Sequence, residues 1–393
     1  MTRAADDAIR HAGEGKLVTC ASGISPSGPI HLGNLREFLT VHFVADEIAR
    51  RGIPVRHLQS WDDYDRFRKV PFGVDESWNE HIGRPLSAVP DPWECHESWA
   101  EHFKEPLRLA LAELGCTMVE INQTEMYKSG AYRDQILEAV ERRGEIDAVL
   151  GKFRTKKADP SQDDGQAEDQ DDDENEDGND WDELSRFPFK PYCRACNRDT
   201  VTLLSYDDET TDLAYRCEVC GFEGVTNLRT QNEGKLVWKV DWPMRWAYEK
   251  VDFEPAGADH SSPGSSFTVG HLLVEQIWNY PRPSWFGYSF VGFAGMTKMS
   301  SSKGGVPTAS DALEVLEAPI LRWLYVRRRP NQAFNIDFGP EVVRLYDEWD
   351  ALGRKAADPD KRDAAVLAFE RASSTAAAGT LPTPAVLAPF RLL

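Results

Sequence analysis

A short β-rich run, a loop of glycine and proline, and a long amphipathic stretch follow one another between Gly15 and Gly52, and no other stretch limits the fold as tightly. Leu17-Val18-Thr19-Cys20-Ala21-Ser22 is apolar and bounded by Gly15 and Gly23, which predicts a buried strand of a parallel sheet. Leu35, Phe38, Leu39, His42, Ala45, Ile48 and Ala49 recur at helical spacing, and Gly52 supplies the stop. The loop between them, Pro26-Ser27-Gly28-Pro29-Ile30-His31-Leu32-Gly33-Asn34, falls at a helix N-terminus, where unpaired N–H groups and the helix dipole favour phosphate. Gly33 lets a ligand lie against the backbone, and His31 can donate to a phosphate oxygen. A plain helix cap at His31 accounts for the same residues equally well.

With 393 residues the chain has room for two or three domains, and its 41% hydrophobic content and 12 Trp fit a globular enzyme. It shows no N-terminal apolar segment of the signal type and no run of 18 apolar residues, so neither secretion nor membrane insertion is expected, and a cytoplasmic location is. A net charge of −20 is unfavourable for contact with nucleic acid. Residues 159–183, however, hold 14 acidic side chains and no basic one, which leaves −6 for all the rest. That block reads as a disordered, solvated loop. A role in keeping non-cognate nucleic acid away is the weaker reading.

An odd number of cysteines, seven, argues against a disulfide framework. Cys193-x-x-Cys196 and Cys217-x-x-Cys220, separated by strand-like Val201–Leu204 and Leu213–Arg216, predict four thiolates around one structural Zn²⁺ on a ribbon. Asp91, Cys95, His96 and His102 lie within twelve residues, with a helix expected to begin near Glu97. They can surround a second tetrahedral Zn²⁺, although from spacing alone a polar helix N-terminus is the plainer reading.

Elsewhere, Val55–Leu58 reads as a second strand with Trp61-Asp62-Asp63-Tyr64-Asp65 at its ligand-facing end. Phe103–Leu114 and Tyr132–Arg143 read as helices, Lys235–Val240 as the return of the sheet, and Trp285–Val291 as a further strand. Lys298-Met299-Ser300-Ser301-Ser302-Lys303 offers two cations and three hydroxyls suited to clamping the charged tail of a nucleotide. A helix starts near Ser310. Leu321–Arg329 carries a basic, aromatic face that suits a phosphate backbone, a packed helix with solvated arginines being the commoner case.

The loop around His31 and the loop from Lys298 together resemble the HIGH and KMSKS signatures of class I aminoacyl-tRNA synthetases. Gly23-Ile24-Ser25-Pro26-Ser27-Gly28, Ser60–Asp65, Trp242-Pro243-Met244-Arg245-Trp246 and Asp259-His260-Ser261-Ser262-Pro263-Gly264 extend the resemblance to class I lysyl-tRNA synthetase, over roughly residues 15–340. The resemblance implies an α/β fold: a Rossmann-type doubly wound parallel sheet, interrupted by a zinc-ribbon insertion and followed by a helical segment. The corresponding boundaries are 1–158 for the first catalytic half, 159–184 for the acidic loop, 185–234 for the ribbon, 235–309 for the second half, and 310–393 for the stem-contact region and the start of a C-terminal domain. It implies a monomeric lysine-tRNA ligase that uses ATP, Mg²⁺ and Zn²⁺, acts on lysine and tRNA(Lys), and has no membrane partner.

By that resemblance His31, Lys298 and Lys303 are catalytic. Pro26, Ser27, Gly28, His31, Gly33, Asn34, Gly257, Asp259, Lys298, Met299, Ser300, Ser301 and Ser302 bind ATP, with Gly257 and Asp259 at the ribose. Gly23, Ser25, Trp238 and His260 line the lysine pocket, and the family has a metal site in the 91–102 region. On chemistry alone, Asp63 and Asp241 are candidate partners for the lysine ammonium, because a buried cation needs an acceptor. The chain departs from the family pattern where Asn34 replaces the second histidine and Ser301 the second lysine, with Lys303 two places on as a substitute. Family members carry a further helical domain that reads the anticodon, and most of it is expected to be missing here. The alternatives are a lysine-activating paralogue or fragment that serves another acceptor, and an inactive paralogue that senses lysine or RNA.

Overall fold

The computed structural model describes residues 1–71, 73–153, 183–258, 265–293 and 305–382. The acidic loop through residue 182, Asp259, His260, the Lys298–Lys303 loop and residues 383–393 lie outside them. In chain order the elements are α1 (Thr2–Ala12), β1 (Val18–Ile24), α2 (Leu32–Arg50), β2 (Val55–Trp61), α3 (Trp99–Glu113), β3 (Val119–Asn122), α4 (Gln123–Lys128), α5 (Arg133–Glu141) and α6 (Arg143–Gly151). There follow β4 (Phe189–Lys190), β5 (Val201–Tyr206), β6 (Asp212–Cys217), β7 (Glu223–Asn227), β8 (Lys235–Leu236), α7 (Trp238–Glu249), β9 (Ala256–Gly257) and α8 (Ser266–Gln276). The chain continues through β10 (Gly287–Tyr288), β11 (Val291–Phe293), α9 (Ala309–Leu313), α10 (Ala318–Val326), β12 (Phe334–Ile336), α11 (Glu341–Ala356) and α12 (Ala364–Ser373). Among the described residues no helix is long and apolar enough to cross a membrane.

Two compact units divide the chain. The first, residues 1–125, 251–259 and 283–393, is an α/β unit built on parallel strands. β1 pairs with β2 and β2 with β3, while on the other side of β1 Phe253 bridges in parallel to both Cys20 and Ser284. β9 and β10 continue that pairing, and β11 pairs with β12. The strand direction sends the loops after β1, β2 and β9 to one end of the sheet.

Helix α2 is nearly all core. Leu32, Leu35, Phe38 and Leu39 pack with Trp61, Leu107, Leu111, Leu321 and Trp323, and Val41, Val44 and Ile48 pack with Ala5, Ala8, Val18, Cys20 and Phe253. Two apolar faces on one helix explain why its sequence is rich in apolar residues beyond a single stripe.

Arg322, on the helix read as a phosphate-facing surface, is wholly buried. Its guanidinium bonds the carbonyls of Leu114, Ala372 and Arg371 and lies over the Phe43 ring, which ties α3 and α12 to α10. Arg327 stacks on Trp323 and pairs with Glu348. The packed-helix reading is therefore the correct one for Arg322, and that residue offers nothing to a phosphate.

The second unit, residues 126–250 and 260–282, holds the antiparallel meander β5-β6-β7, the short antiparallel pair β4 and β8, and helices α7 and α8. The strand expected over 235–240 ends at Leu236, and Trp238 opens α7 instead. Trp238, Trp242 and Trp246 recur every fourth residue and pack in sequence along one face, so helical spacing prevails over the local β propensity.

Candidate active site

The signature loop leaves β1 at Ile24 and enters α2 through His31, which adopts extended φ and ψ as the N-cap. The Asn34 N–H donates to His31 Nδ1 at 3.3 Å, and the His31 N–H donates to Asn34 Oδ1 at 3.2 Å. This reciprocal capping box explains why asparagine occupies the position of the family's second histidine. It also fixes the ring: with Nδ1 accepting, the neutral imidazole carries its proton on Nε2, the donor form that a phosphate oxygen requires. The helix-cap and ligand readings of His31 are thus compatible in one side chain. Both the backbone N–H and the side-chain Oδ1 of Asn34 are engaged by His31.

Three further bonds fasten the loop. Leu32 N–H donates to Pro307 O at 2.9 Å, the Tyr325 hydroxyl donates to Leu32 O at 2.7 Å, and the Trp99 indole N–H donates to Ser27 O at 3.1 Å.

Both acids chosen on chemistry alone are already committed. Asp63, at the end of β2, takes a 2.7 Å ion pair from buried Lys104 and the amide N–H of Thr124 at 2.8 Å. Lys104 also bonds Glu101 and Asn122. In the second unit, fully buried Asp241 meets Arg245, Lys235 at 3.4 Å and the Tyr127 hydroxyl at 2.5 Å. Burial alone would raise the Asp241 pKa, but the two cations and the hydrogen bonds hold it below the usual carboxylate range. Asp63 shares its one cation, Lys104, with Glu101, whereas Asp241 faces both Arg245 and Lys235.

A residue outside the sequence-based candidates also stands at the end of the strands. Glu37, one turn into α2, accepts the Gly23 N–H at 3.1 Å and the Tyr288 hydroxyl at 2.5 Å. Tyr288 is in parallel register with Gly257, so Gly23, Glu37, Tyr288 and Gly257 meet at the ligand-facing end of the strands. Ser25 lies two residues beyond Gly23, and Pro26, Gly28 and Gly33 complete the loop. The only sequence signal for Glu37 is its helical offset of three from Asn34, which places both on one face.

Trp238 stands in the second unit, stacked on Trp242 with ring centroids 5.0 Å apart, and Arg245 and Lys235 lie over its ring at 5.4 and 5.9 Å. Asp259, His260 and the residues from Lys298 to Lys303 are outside the described residues.

Both predicted ligand sets converge. The four sulfurs of Cys193, Cys196, Cys217 and Cys220 lie within 4.8 Å of one another, with Cys193 to Cys220 at 3.7 Å and Cys196 to Cys217 at 3.6 Å. Those separations match the edge of about 3.8 Å that a tetrahedron with Zn–S bonds of about 2.3 Å requires. The Phe222 N–H draws the Cys220 thiol down to about 7, while burial and the other thiols push Cys196 up to about 12. Among the described residues, Tyr215, Val201, Leu203 and Phe222 pack with the cysteines, a small core for a three-stranded module.

In the first unit, Cys95 Sγ lies 3.2 Å from Asp91 Oδ2, 3.1 Å from His96 Nδ1 and 3.3 Å from His102 Nδ1. Burial works against the Asp91 carboxylate, but bonds from the amides of Trp93, His96 and Cys95 and from the Cys95 thiol outweigh it and keep its pKa low. The helix starts at Trp99 with Ser98 as cap, so His102 is helical and His96 precedes the helix.

The family model described as tRNA synthetases class I (K) matches residues 1–375. The chain belongs to this family. A lysine–tRNA ligase of Streptomyces coelicolor is 53% identical over the whole of this chain and 70% of its own length. Lysine–tRNA ligases of Thermococcus kodakarensis and Treponema pallidum are 40% and 37% identical. Those matches cover 89% and 86% of this chain, and 62% and 60% of the respective relatives.

Proposed function

We propose that this class I synthetase is a lysine-tRNA ligase. The observation that carries the reading is the 53% identity, along the entire chain, to a protein of that activity. The capped His31 loop at the end of β1 is consistent with it. In the first step a lysine carboxylate oxygen attacks the α-phosphorus of ATP, the bond to the bridging oxygen breaks, and pyrophosphate leaves. In the second, a terminal ribose hydroxyl of tRNA(Lys) attacks the carbonyl carbon of lysyl-adenylate, AMP leaves, and the hydroxyl proton is released. Positioning and electrostatics supply the rate, because no covalent intermediate with the protein is needed.

His31 Nε2–H faces the α-phosphate in this reading, and Gly33 admits it to the backbone. Lys298, Ser300, Ser301, Ser302 and Lys303 close on the pyrophosphate with Mg²⁺, and Gly257 and Asp259 hold the ribose. Gly23 and Ser25 contact the lysine in this reading, Trp238 and His260 keep the lysine-binding roles that the resemblance implies, and Glu37, bonded to the Gly23 N–H, joins Asp63 and Asp241 as an acceptor candidate for the ε-ammonium. The fold is read as a Rossmann-type doubly wound sheet with the ribbon as an insertion, in a monomeric cytoplasmic enzyme.

Cys193, Cys196, Cys217 and Cys220 would hold one Zn²⁺, which supplies the cross-link that a small ribbon lacks. Asp91, Cys95, His96 and His102 would hold another. Incubating the zinc-loaded chain with labelled lysine, ATP and tRNA(Lys) tests the whole reading. Acid-precipitable lysine on the tRNA is the expected outcome, and activation without charging would point to another acceptor.

A further inference from the structure

Trp99 is a large residue at the site for which the proposed reaction has no use. It opens α3, is wholly buried, and donates its indole N–H to Ser27 O in the loop that carries His31. Its ring packs against Phe67, Phe103 and Trp93 with centroids 4.9, 5.2 and 5.9 Å away. Trp93 in turn stacks on His102 at 4.1 Å and 21°, and its amide N–H donates to Asp91 at 3.0 Å. Two indoles therefore connect two members of the 91–102 cluster to the backbone of the signature loop. The Trp99 amide is tied to Val89 O at 2.8 Å, and Ser98 caps the Glu101 N–H. One turn on, Lys104 pins Asp63 at the end of β2. The first turn of α3 thus touches both the cluster, through Trp93, and the Ser27 carbonyl, so that displacement of the one is passed through packed rings to the other.

We propose that Trp99 is a positioning residue that couples the 91–102 ligand cluster to the signature loop, so that metal held by the cluster sets how the loop receives the phosphates of ATP. The proposal rests on the ATP-binding reading above. Two variants of the full chain test the two ends of the coupling. Trp99→Phe keeps an aromatic ring in the core and removes the indole N–H together with part of the ring volume. His102→Ala removes a metal ligand and leaves Trp99 in place.

Zinc content, hydrogen–deuterium exchange of the peptide spanning residues 24–31, and pyrophosphate exchange are measured on each. Wild type is expected to hold two zinc ions, His102→Ala one, and Trp99→Phe two. Both variants should show faster exchange in that peptide and a KM for ATP raised about tenfold, near the upper end of the effect of one lost hydrogen bond, with the KM for lysine within about twofold of wild type. Unchanged peptide exchange in Trp99→Phe overturns the proposal. So does a His102→Ala protein that loses its metal with the loop unaltered, or a wild-type chain with one zinc. Absence of lysine-dependent activity in wild type would refute the ligase reading instead, and the deuterium data would still decide the coupling.

Discussion

The two ligand clusters differ in what surrounds them. The four cysteines sit on a three-stranded meander whose buried apolar residues are few, and the spacing of two Cys-x-x-Cys pairs is regular. Asp91, Cys95, His96 and His102 are irregularly spaced, and beside them Phe67, Leu86, Val89, Trp99, Ala100 and Phe103 form a packed core of their own. A module without a core needs its metal to fold, whereas a metal beside an existing core can only adjust what is already folded. The same ion would thus make a structure in one place and set a position in the other.

The contrast is broken or sharpened most strongly by Cys217→Ser. Residues 193–227 are expected to lose their hydrogen-exchange protection and become open to proteolysis, with the loss of one zinc; a protected ribbon would remove the distinction. Lys104→Met should come next, destabilising the first unit by about 3–5 kcal/mol in urea unfolding, because Asp63 is left buried without its cation. This sharpens the comparison, since α3 is then held by an ion pair and core packing before any metal binds.

Glu37→Gln should raise the KM for lysine about tenfold and leave the KM for ATP unchanged, which separates the lysine side of the site from the side that the 91–102 cluster reaches. The smallest stability effect is expected from Cys95→Ser, within about 2 kcal/mol of wild type in the same unfolding experiment. Collapse of the first unit in Cys95→Ser would place both clusters in one class.

Regular local patterns were legible before the structure was known. β1, the loop and α2 follow from an apolar run, glycine boundaries and helical spacing, and the four cysteines from theirs. Trp238 was misplaced because Leu236, Trp238 and Val240 alternate like a strand, while the four-residue spacing of Trp238, Trp242 and Trp246 carries the helix. The partners of Asp63 and Asp241, namely Lys104, Arg245 and Lys235, were not legible because most of them are brought together only by folding. Glu37 reads as an ordinary polar position on an amphipathic helix, and Trp99 as plain core; each acquires meaning from a contact distant in sequence. Asn34, a departure from the family pattern, is explained by the capping box, which residue type alone does not reveal in a loop also suited to phosphate.

The most direct measurement is amino-acid-dependent exchange of labelled pyrophosphate into ATP by the zinc-loaded chain. Label in ATP with lysine present, and none with arginine, methionine or no amino acid, is the predicted result. Exchange that is absent with lysine in a folded protein with both zinc ions bound, or that is supported equally by arginine, would contradict the assignment of lysine activation to this site.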